Sequence, residues 1–363
     1  MTPVRRWLLI AAGVCLLVLS PTVIRSLPVA DSEVSAAELL QRVKDSGSVA
    51  YSGYAEAVGG MQLPVSDQFS DLAQLLGERT RLRVWWRADD DWRVDALDIT
   101  GETDLIRSAD GLAIWEYEAA RATYTDDAPV RLPRAADLVP PVLGRLVLGE
   151  AMAEEVSRLP AVRVAGREVP GLRLTPADSQ TTVDHVDVWV DPDTGLALRV
   201  DIFGAGDTPA MTTTFLDLTT QPPAAADTAF TPPPDADVDY DEAVDIAAAA
   251  DRFAPITAPD RLAGLDRRTT PGVGAVGQYG RGVARLIAIP LRDEDADPLR
   301  EQLLTTTSSR SGRRGVSVTV GPLGLLLTPD AYDRPTWLLG GTVTQRTLSA
   351  AARELAGGPV LTR

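Results

Sequence analysis

The side chains that most often perform catalysis are scarce in this sequence. His185 is the only histidine and Cys15 is the only cysteine in 363 residues. A histidine-based nucleophilic site would have to use His185, and no GxSxG segment offers a nucleophilic serine beside it. Disulfides within the chain and thiolate metal clusters need more than one cysteine. His185 alternates with valine on a strand-like segment, so we interpret it as a surface side chain. We therefore predict that the protein is not an enzyme.

An acidic loop near the middle of the chain is the first place to look for a metal site. The segment DVWVDPDTGLALRVDIF places DPDTG, residues 191–195, between two runs of alternating apolar residues. A calcium loop of the EF-hand type would need a third oxygen ligand before its glycine, a longer loop and a distal glutamate. An early proline and a late glycine are instead typical of a hairpin turn. We predict a β-hairpin and no bound metal. The acidic run at 89–91 is likewise interpreted as a turn.

A glycine motif in the C-terminal third has the spacing of a dinucleotide-binding loop. Residues 272–277 read GVGAVG, which matches GxGxxG. That motif holds a pyrophosphate only when a strand precedes it and a helix follows it. Here TTP precedes the motif and a strand pattern follows. We interpret it as a glycine-rich loop and predict that the protein has no cofactor.

The charge balance argues against nucleic acid as a partner. The net charge is −16, whereas nucleic-acid binding requires a basic surface that displaces counterions. A small basic patch occurs in the segment SSRSGRRG, which contains Arg310, Arg313 and Arg314. We interpret this patch as a solvated loop; the alternative is a contact with an acidic partner or a lipid headgroup.

The N-terminus has the features of a membrane segment. Arg5 and Arg6 precede an apolar run over residues 7–24, which is near the short end of the lengths that cross a bilayer. The two arginines predict a cytoplasmic N-terminus and an extracytoplasmic body. Signal cleavage needs small residues at −3 and −1, but the best candidate begins with Pro28. Val14 before Cys15 argues against a lipoprotein signal. We expect residues 1–30 to be a retained single-pass anchor in the cell membrane; if they are cleaved, the body is secreted.

Residues 31–232 have the pattern of a mainly antiparallel β domain. Ser35 and Glu38 form a capping box, and Leu39, Leu40 and Val43 follow as an apolar stripe, so a short helix begins here. Period-two runs from about residue 48 to residue 219 predict a meander of strands. A helical block over 135–158 interrupts the meander. Residues 59–78 are expected to form a long loop with a short helix.

The last third of the sequence predicts a second, smaller unit. Residues 233–259 are rich in Pro, Ala and Asp and contain a helical stretch, so we interpret them as a linker with a short helix. Residues 260–363 alternate strands with helices, which predicts a small α+β domain. Asp297 is expected to cap a helix with Pro298 at its first position, and Gly357 is expected to end the last helix.

One face of the predicted sheet is a candidate ligand surface. Large aromatic side chains on strands usually belong to the core, but a curved sheet with one apolar face also forms a pocket if helices do not fill it. Alternation alone selects the residues that we predict to contact an apolar ligand. They are Leu82, Val84, Trp86, Trp115, Val188, Val190, Leu198 and Val200.

Several segments together resemble the LolA-like superfamily, and more specifically its MucB/RseB branch. The segments WRVDALDI, DLIRSADGLAIWEYEAARATY and VRVAGREVPGLRLTPADSQTTVDHVDVWVDPDTGLALRVDIFG carry the resemblance over residues 31–232. The pattern includes an ADG…W.Y hairpin and a GR…L.L.P…WVD..TGL.LR segment. Its matching residues are Gly166, Arg167, Leu172, Leu174, Pro176, Trp189, Asp191, Thr194, Gly195, Leu196 and Arg199.

The resemblance implies an α+β fold with a LolA-like curved antiparallel β half-barrel covered by helices, plus the smaller α+β domain. It implies a non-catalytic protein that binds lipid acyl chains or lipoproteins on a hydrophobic concave face. Members of the RseB type restrain a membrane anti-sigma factor and so regulate envelope-stress signalling, whereas LolA-type members carry lipoproteins. A retained anchor and a second domain favour the tethered regulator, because tethering raises the effective concentration of a membrane partner. A cleaved N-terminus would favour the carrier.

Overall fold

The computed structural model describes residues 5, 29, 31–61, 63, 70–98, 101–126, 128, 130–240, 246–254, 256–271, 273–331, 334–357 and 361–362. The apolar run expected to form the anchor, residues 7–24, lies outside the described residues, as does most of the first half of the loop expected over 59–78. Within the described part of the chain, no helix combines the length and the apolar character that a bilayer crossing requires. The anchor therefore stays a prediction.

A twelve-stranded sheet forms the larger part of the fold. Eleven strands pair with their neighbours in antiparallel fashion, and the last strand joins the edge in parallel. The order across the sheet is β12-β6-β5-β4-β3-β2-β1-β11-β10-β9-β8-β7. The strands are β1 (Tyr51–Gly59), β2 (Arg79–Ala88), β3 (Asp91–Leu97), β4 (Glu102–Ser108), β5 (Gly111–Glu116), β6 (Arg121–Thr125), β7 (Val156–Val164), β8 (Arg167–Leu174), β9 (His185–Val190), β10 (Ala197–Phe203), β11 (Met211–Thr219) and β12 (Asp237–Tyr240). The predicted α+β fold with an open antiparallel sheet is confirmed.

The sheet is strongly curved, and helices lie on its concave side. Strands β7 and β11 approach each other although β8, β9 and β10 separate them in the sheet. Helices α1 (Ala36–Asp45), α2 (Ser70–Gly77) and α3 (Pro140–Leu148) contribute to the same apolar core as the strands. As predicted, the side chain of Ser35 caps α1 by accepting a hydrogen bond from the Glu38 N–H. We call the concave side of the sheet the inner face and the opposite side the outer face.

The hairpin predicted at residues 191–195 is confirmed, and its loop fastens α1 to the sheet. Strands β9 and β10 pair on either side of the loop. The Asp191 carboxylate accepts hydrogen bonds from the Asp193 N–H at 2.9 Å and from Arg167 at 2.7 Å. Arg42 of α1 donates to the carbonyl oxygen of Pro192. Thus Arg167 and Asp191, which belong to the sequence motif described above, stabilise the loop, and Arg42 joins it to α1 as a structural clasp.

A second contact holds the C-terminal end of α1. Lys44, the only lysine of the chain, donates from Nζ to the carbonyl oxygen of Ala151 at 2.8 Å. Ala151 follows α3, so this hydrogen bond joins the ends of the two helices on the inner face.

The segment over residues 221–240 crosses the outer face and does not behave as a free linker. Its short helix α4 (Ala225–Thr228) lies against β2, β3 and β4. Phe230 then contacts Trp115, with ring centroids 5.8 Å apart. β12 finally pairs with β6, and Tyr240 stacks on Tyr124 at 5.4 Å. Composition suggested a linker because the segment contains few large apolar residues, but two aromatic contacts and one strand are sufficient to bind it.

The C-terminal unit is a smaller α+β domain, as predicted. A six-stranded sheet has the order β16-β17-β21-β20-β19-β18. Its elements, with the short strands around it, are α5 (Ile246–Phe253), β13 (Ile256–Thr257), β14 (Arg261–Leu262), β15 (Leu265–Asp266), β16 (Gly277–Arg281), β17 (Ala284–Leu291), α6 (Asp293–Thr305), β18 (Arg310–Gly312), β19 (Gly315–Val320), β20 (Leu323–Leu327), β21 (Thr336–Gly341), α7 (Gln345–Gly357) and β22 (Leu361–Thr362). Residues of α5 and α7 share one apolar core with this sheet.

One detail of this unit differs from the sequence prediction, and another bears on the glycine motif. The helix expected to begin at Pro298 begins earlier, at Asp293, so Pro298 lies inside α6. The acidic residues of the first turn stabilise the positive end of the helix dipole and allow this earlier start. Gly277, the last glycine of the GxGxxG motif, begins β16 and not a helix, so the motif lacks the helix N-terminus that binds a pyrophosphate.

Charged groups join the two units after α3. Arg281 donates to the Glu155 carboxylate at 2.7 and 3.0 Å. The Glu150 carboxylate lies 2.7 Å from Arg268 and 3.0 Å from Arg285. The hydrogen bonds from Arg281 lower the pKa of Glu155 to about 2 against the opposing effect of burial. Glu150 and Glu155 follow α3 directly, so this network connects the inner face to the C-terminal unit.

The backbone also bridges the two units. The Thr182 N–H donates to Thr342 O at 3.0 Å, and the Thr344 N–H donates to Gln180 O at 2.7 Å. Thr181 and Val343 form an isolated antiparallel bridge between these two bonds. The contact between the units therefore combines strand-like pairing with ion pairs.

Candidate functional site

Seven of the eight predicted ligand-contact residues lie together on the inner face. They share one apolar core, and none of them is more than 4% exposed. The seven are Leu82, Val84, Trp86, Val188, Val190, Leu198 and Val200. Leu198 is the extra residue of a bulge in β10, where the register shifts between Ala197 and Arg199.

Trp115 lies on the opposite face of the sheet and does not belong to this group. The cross-strand register places Trp115 beside Asp104 and Asp104 beside Asp95, and this row faces outward. Trp115 packs in a separate small cluster beneath Phe230. Alternation within one strand could not reveal this, because the relation between the faces of β2 and β5 depends on the registers of β3 and β4 between them.

Helices α1 and α3 fill the concavity over this surface. Leu39, Leu40 and Val43 of α1, with Leu143 and Val147 of α3, are buried in the same core. Gly144 lets α3 come very close to β10, since a Cβ at this position would lie 2.6 Å from the Cβ of Ala197. The inner face of the described structure is therefore covered, and an apolar ligand reaches it only if a helix is displaced.

A row of stacked aromatic rings lies at one end of the apolar surface. Tyr51, Trp86 and Trp92 are cross-strand neighbours on β1, β2 and β3. The ring centroids of Tyr51 and Trp86 are 5.9 Å apart, and those of Trp86 and Trp92 are 5.3 Å apart, with nearly parallel planes. Phe215 meets Tyr51 edge-on at 5.9 Å. We call Tyr51, Trp86 and Trp92 the aromatic row.

Arg145 of α3 covers the aromatic row. Its guanidinium carbon lies 5.9 Å from the Trp86 ring, and its Nη2 donates to the Asp89 carboxylate at 3.2 Å. Burial raises the pKa of Tyr51, against the opposing influence of Arg145, so the phenol stays protonated and can donate a hydrogen bond. Alternation along β2 selects Trp86 but not Tyr51 or Arg145, because neither the strand register nor the placement of α3 can be read from periodicity.

Three hydrogen-bond donors in this group have no partner in the described structure. They are Oη of Tyr51, Nε1 of Trp86 and Nη1 of Arg145, all of which are buried atoms. Tyr51 is 0% exposed and Trp86 is 4% exposed. A buried donor without a partner costs about 1–3 kcal/mol. The side chains that carry these donors are neighbours, because the Tyr51 ring stacks on the Trp86 ring and the Arg145 guanidinium lies over the Trp86 ring.

The outer face holds a cluster of carboxylates that resembles a metal site in composition only. One oxygen each of Asp95, Glu102 and Asp104 lies within 4.8 Å of the other two. Arg93 donates to Asp95 at 2.6 Å and to Asp104 at 2.7 Å, and Arg83 donates to Glu102. Burial and the neighbouring Asp95 raise the pKa of Asp104 to about 7 against the effect of Arg93. The arginines already supply the positive charge that a cation would bring.

His185 takes part in local contacts on the outer face. Its Nδ1 lies 2.7 Å from Asp184, and its ring stacks on Phe203 with centroids 4.2 Å apart. Its side chain is only 16% exposed, so it is more buried than a freely solvated surface histidine. In the part of the chain that the structure describes, no serine hydroxyl is hydrogen-bonded to it.

A narrow cleft lies where the two units meet. Its cavity volume is about 10 Å³, which is room for about one water molecule. Glu155 and Arg281 line it together with Val147 of α3 and Leu174 of β8. The cleft therefore borders the covered inner face but is too small for an acyl chain.

Comparisons with known proteins find likenesses among solved structures alone. No family model matches the sequence, and no curated protein matches it. The crystal structure of MucB in complex with MucA(peri) has a TM-score of 0.49 and 17% identity, with 87% of this chain and 97% of that chain covered. The Pseudomonas aeruginosa MucA/MucB complex has a TM-score of 0.49 and 16% identity, with 87% and 96% covered.

The LolA superfamily protein NE2245 from Nitrosomonas europaea matches the larger part of this chain. Its TM-score is 0.26 and its identity is 11%, with 54% of this chain and 98% of that chain covered. Each of these TM-scores lies below 0.5 and each identity below 20%.

Proposed function

We propose that the protein is a non-catalytic, extracytoplasmic binding protein tethered by its N-terminal segment. It binds the acyl chain of a lipid or lipoprotein on the inner face of the large sheet. It acts as an RseB-type regulator of envelope-stress signalling, with a membrane anti-sigma factor as its protein partner.

The observation that carries this proposal is the way in which the inner face is covered. A continuous apolar surface lies beneath two short helices, α1 of 10 residues and α3 of 9 residues. Such helices have little stability of their own and depend on the surface that they cover. An acyl chain offers the same apolar contact as the side chains of Leu143 and Val147, so it can replace them when α3 moves away.

The position of α3 gives the proposed ligand a route to the second unit. The helix ends at Leu148, and Glu150 and Glu155 follow it and bind Arg268, Arg281 and Arg285. Displacement of α3 would move these carboxylates and weaken the contact between the units. A protein partner that binds across the two units would then sense the ligand. This connection supports a regulator over a carrier, because a carrier does not need a second unit that responds to its cargo.

A reversible lock on α3 tests the proposal. A Cβ at position 144 would lie 2.6 Å from the Cβ of Ala197, about 1 Å less than the usual Cβ–Cβ distance of a disulfide. A pair of cysteines there, Gly144→Cys with Ala197→Cys, can therefore form a disulfide if α3 moves about 1 Å away from β10. We expect the full chain, purified gently from its own host, to retain acyl lipid in native mass spectrometry. The oxidised variant should lose this lipid and regain it after reduction.

The matched control carries serines at both positions, Gly144→Ser with Ala197→Ser, and should not respond to the reductant. Lipid binding by the oxidised disulfide variant at the level of the natural chain would show that the inner face is not the binding surface. If the natural chain is recovered from lipid-containing host membranes without any bound lipid, this result contradicts lipid binding altogether.

A further inference from the structure

The unpartnered donors of the aromatic row suggest what kind of ligand this end of the inner face accepts. Oη of Tyr51 and Nε1 of Trp86 are buried on adjacent strands, and their rings stack at 5.9 Å. Nη1 of Arg145 is a third buried donor without a partner among the described residues, and its guanidinium group lies over the Trp86 ring. All three groups donate hydrogen bonds, and one of them carries a positive charge.

An acceptor that satisfies three donors at once must have several lone pairs and a negative charge. A carboxylate or a phosphate oxygen has this chemistry, and charge-assisted hydrogen bonds from arginine are stronger than those between neutral groups. A single water molecule accepts two hydrogen bonds and cannot satisfy all three donors. The donors therefore match an oxyanion better than a neutral occupant.

The surroundings show how an oxyanion would reach the donors. Arg145 is 19% exposed and Asp89, its ion-pair partner, is 69% exposed. Asp89 lies in the turn between β2 and β3, and the backbone at Gly47 closes the other side, with a Cβ there only 3.3 Å from Asp89 Oδ2. In the proposed binding, Arg145 rotates away from Asp89 and opens the row from this side. Beyond the aromatic row, the inner face continues as the apolar surface that contains Leu82 and Val84.

We propose that Tyr51, Trp86 and Arg145 bind the oxyanion head of an acyl-chain ligand, while the apolar inner face binds its tail. The inference rests on the proposed acyl-chain binding and adds the class of head group. In the ligand-free protein, Arg145 pairs with Asp89. In the complex, the oxyanion takes the place of Asp89 and receives the hydrogen bonds of Tyr51 and Trp86 as well.

Photo-crosslinking with a matched pair of probes tests the head group. The full chain is reconstituted in phosphatidylcholine nanodiscs and exposed to photoactivatable palmitic acid or to the matching photoactivatable hexadecanol, which has the same tail without the charge. Labelling is quantified on the peptide that covers β9 and β10, so that probe dissolved in the bilayer is not counted. We expect half-maximal labelling at about tenfold lower concentration for the acid than for the alcohol.

Two variants and two controls assign the effect to these residues. Tyr51→Phe and Arg145→Gln should bring labelling by the acid down to the level of the alcohol. Tyr54→Phe, on the outward-facing side of the same strand, and Arg79→Gln, an exposed arginine of β2, should leave it unchanged. Tyr51→Phe removes a hydroxyl that has no partner, so it should not lower the melting temperature of the ligand-free protein, and this measurement excludes misfolding as the cause.

The outcomes separate this inference from the proposed function. Equal labelling by acid and alcohol in the natural chain, or unchanged labelling in both variants, overturns the oxyanion site but leaves acyl-chain binding intact. Labelling of β9 and β10 by neither probe overturns acyl-chain binding, and the inference with it. Inorganic phosphate that protects this peptide better than unlabelled palmitate would identify the occupant as a free anion and overturn its assignment to a lipid head.

Discussion

Gly195 lies so close to α1 that a Cβ at this position would be 2.3 Å from the carbonyl oxygen of Arg42. Gly195 also has a φ of +74°, a conformation that glycine adopts without strain. The hairpin loop thus needs glycine for two reasons, one local and one set by the helix that it clasps.

A matched pair of substitutions separates these two reasons. Gly166 has a φ of +76°, and a Cβ there would have nothing within 4 Å. We expect Gly166→Ala to cost about 1–2 kcal/mol from backbone strain alone. Gly195→Ala should cost about 1–3 kcal/mol more, because the clash displaces α1. Urea unfolding measures the free energies, and hydrogen exchange of α1 amides measures the displacement. Equal costs for the two variants would show that the clasp does not hold α1.

The close packing of α3 on β10 gives a second prediction. Alanine in place of a glycine in a helix interior normally stabilises by about 1 kcal/mol. Gly357→Ala, at the last residue of α7, should change stability by less than this, because it lies at a helix end and a Cβ there meets nothing within 4 Å. Gly144→Ala should instead destabilise by about 1–3 kcal/mol, since its Cβ would lie 2.6 Å from that of Ala197. Thermal or urea unfolding compares the two. A gain for Gly144→Ala would mean that α3 already stands away from the sheet.

The ion pair between Glu155 and Arg281 predicts a pH dependence of the contact between the units. Hydrogen bonds from Arg281 lower the pKa of Glu155 to about 2, so the folded protein stabilises the carboxylate. This contribution is complete above the unfolded pKa of about 4.3 and is lost as the pH falls towards 2. Glu155→Gln should lower stability by about 1–3 kcal/mol at pH 7 and by progressively less below pH 4. Urea unfolding over this pH range measures the difference.

A surface pair on the large sheet provides the control for Glu155. Glu56 accepts from Arg79 at 3.1 Å, and the arginine is 59% exposed. Exposed pairs contribute about 0–1 kcal/mol, so Glu56→Gln should have a small effect at pH 7. A loss for Glu155→Gln that does not shrink on acidification would contradict the assignment to its carboxylate.

The carboxylate cluster of the outer face predicts a pH dependence of the opposite sign. Burial raises the pKa of Asp104 to about 7, while Asp95 and Glu102 add to the rise and Arg93 opposes it. Arg83 is the other charge that faces the cluster, through Asp95 and Glu102. The folded state then holds a proton that the unfolded state has released, so stability falls as the pH rises from about 4 to about 7. Asp104→Asn removes this dependence. The free energy of unfolding of the variant, relative to that of the natural chain, should therefore increase as the pH rises from about 4 to about 7.

Unfolding in urea at several pH values between 4 and 8 checks this prediction. Asp266→Asn is the control, because Asp266 is 87% exposed and its replacement should give a difference that stays flat over the interval. A flat difference for Asp104→Asn as well would show that Asp104 is ionised throughout.

The sequence predicts the elements of this fold well because most of them carry their own local signal. The capping box at Ser35 and Glu38 marks α1, the DPDTG turn marks the β9–β10 hairpin, and alternation marks β2 and β9. These signals depend on residues within a few positions of one another, so no tertiary information is needed to see them.

The arrangement between elements is what the sequence does not contain. Trp115 fits the alternation of its own strand as well as Trp86 does. The two side chains nevertheless lie on opposite faces, because three strand-pair registers separate β2 from β5. Tyr51 becomes part of the aromatic row only through its pairing with Trp86, and Arg145 reaches that row only because α3 crosses the inner face. The segment over 221–240 binds the outer face through Phe230 and Tyr240, whose partners lie far away in the sequence.

The hydrogen bond from Lys44 to Ala151 makes the reactivity of Lys44 a measure of the contact between α1 and the end of α3. Because Lys44 is the only lysine, an amine-directed reagent can modify the N-terminus and this one side chain and nothing else on the polypeptide. While the amine is engaged with Ala151 at 2.8 Å, α1 and the end of α3 are together and acylation is slowed. Release of either helix leaves the amine free, so the rate of acylation at one atom of the purified protein measures the proposed opening of the concavity without any engineered label.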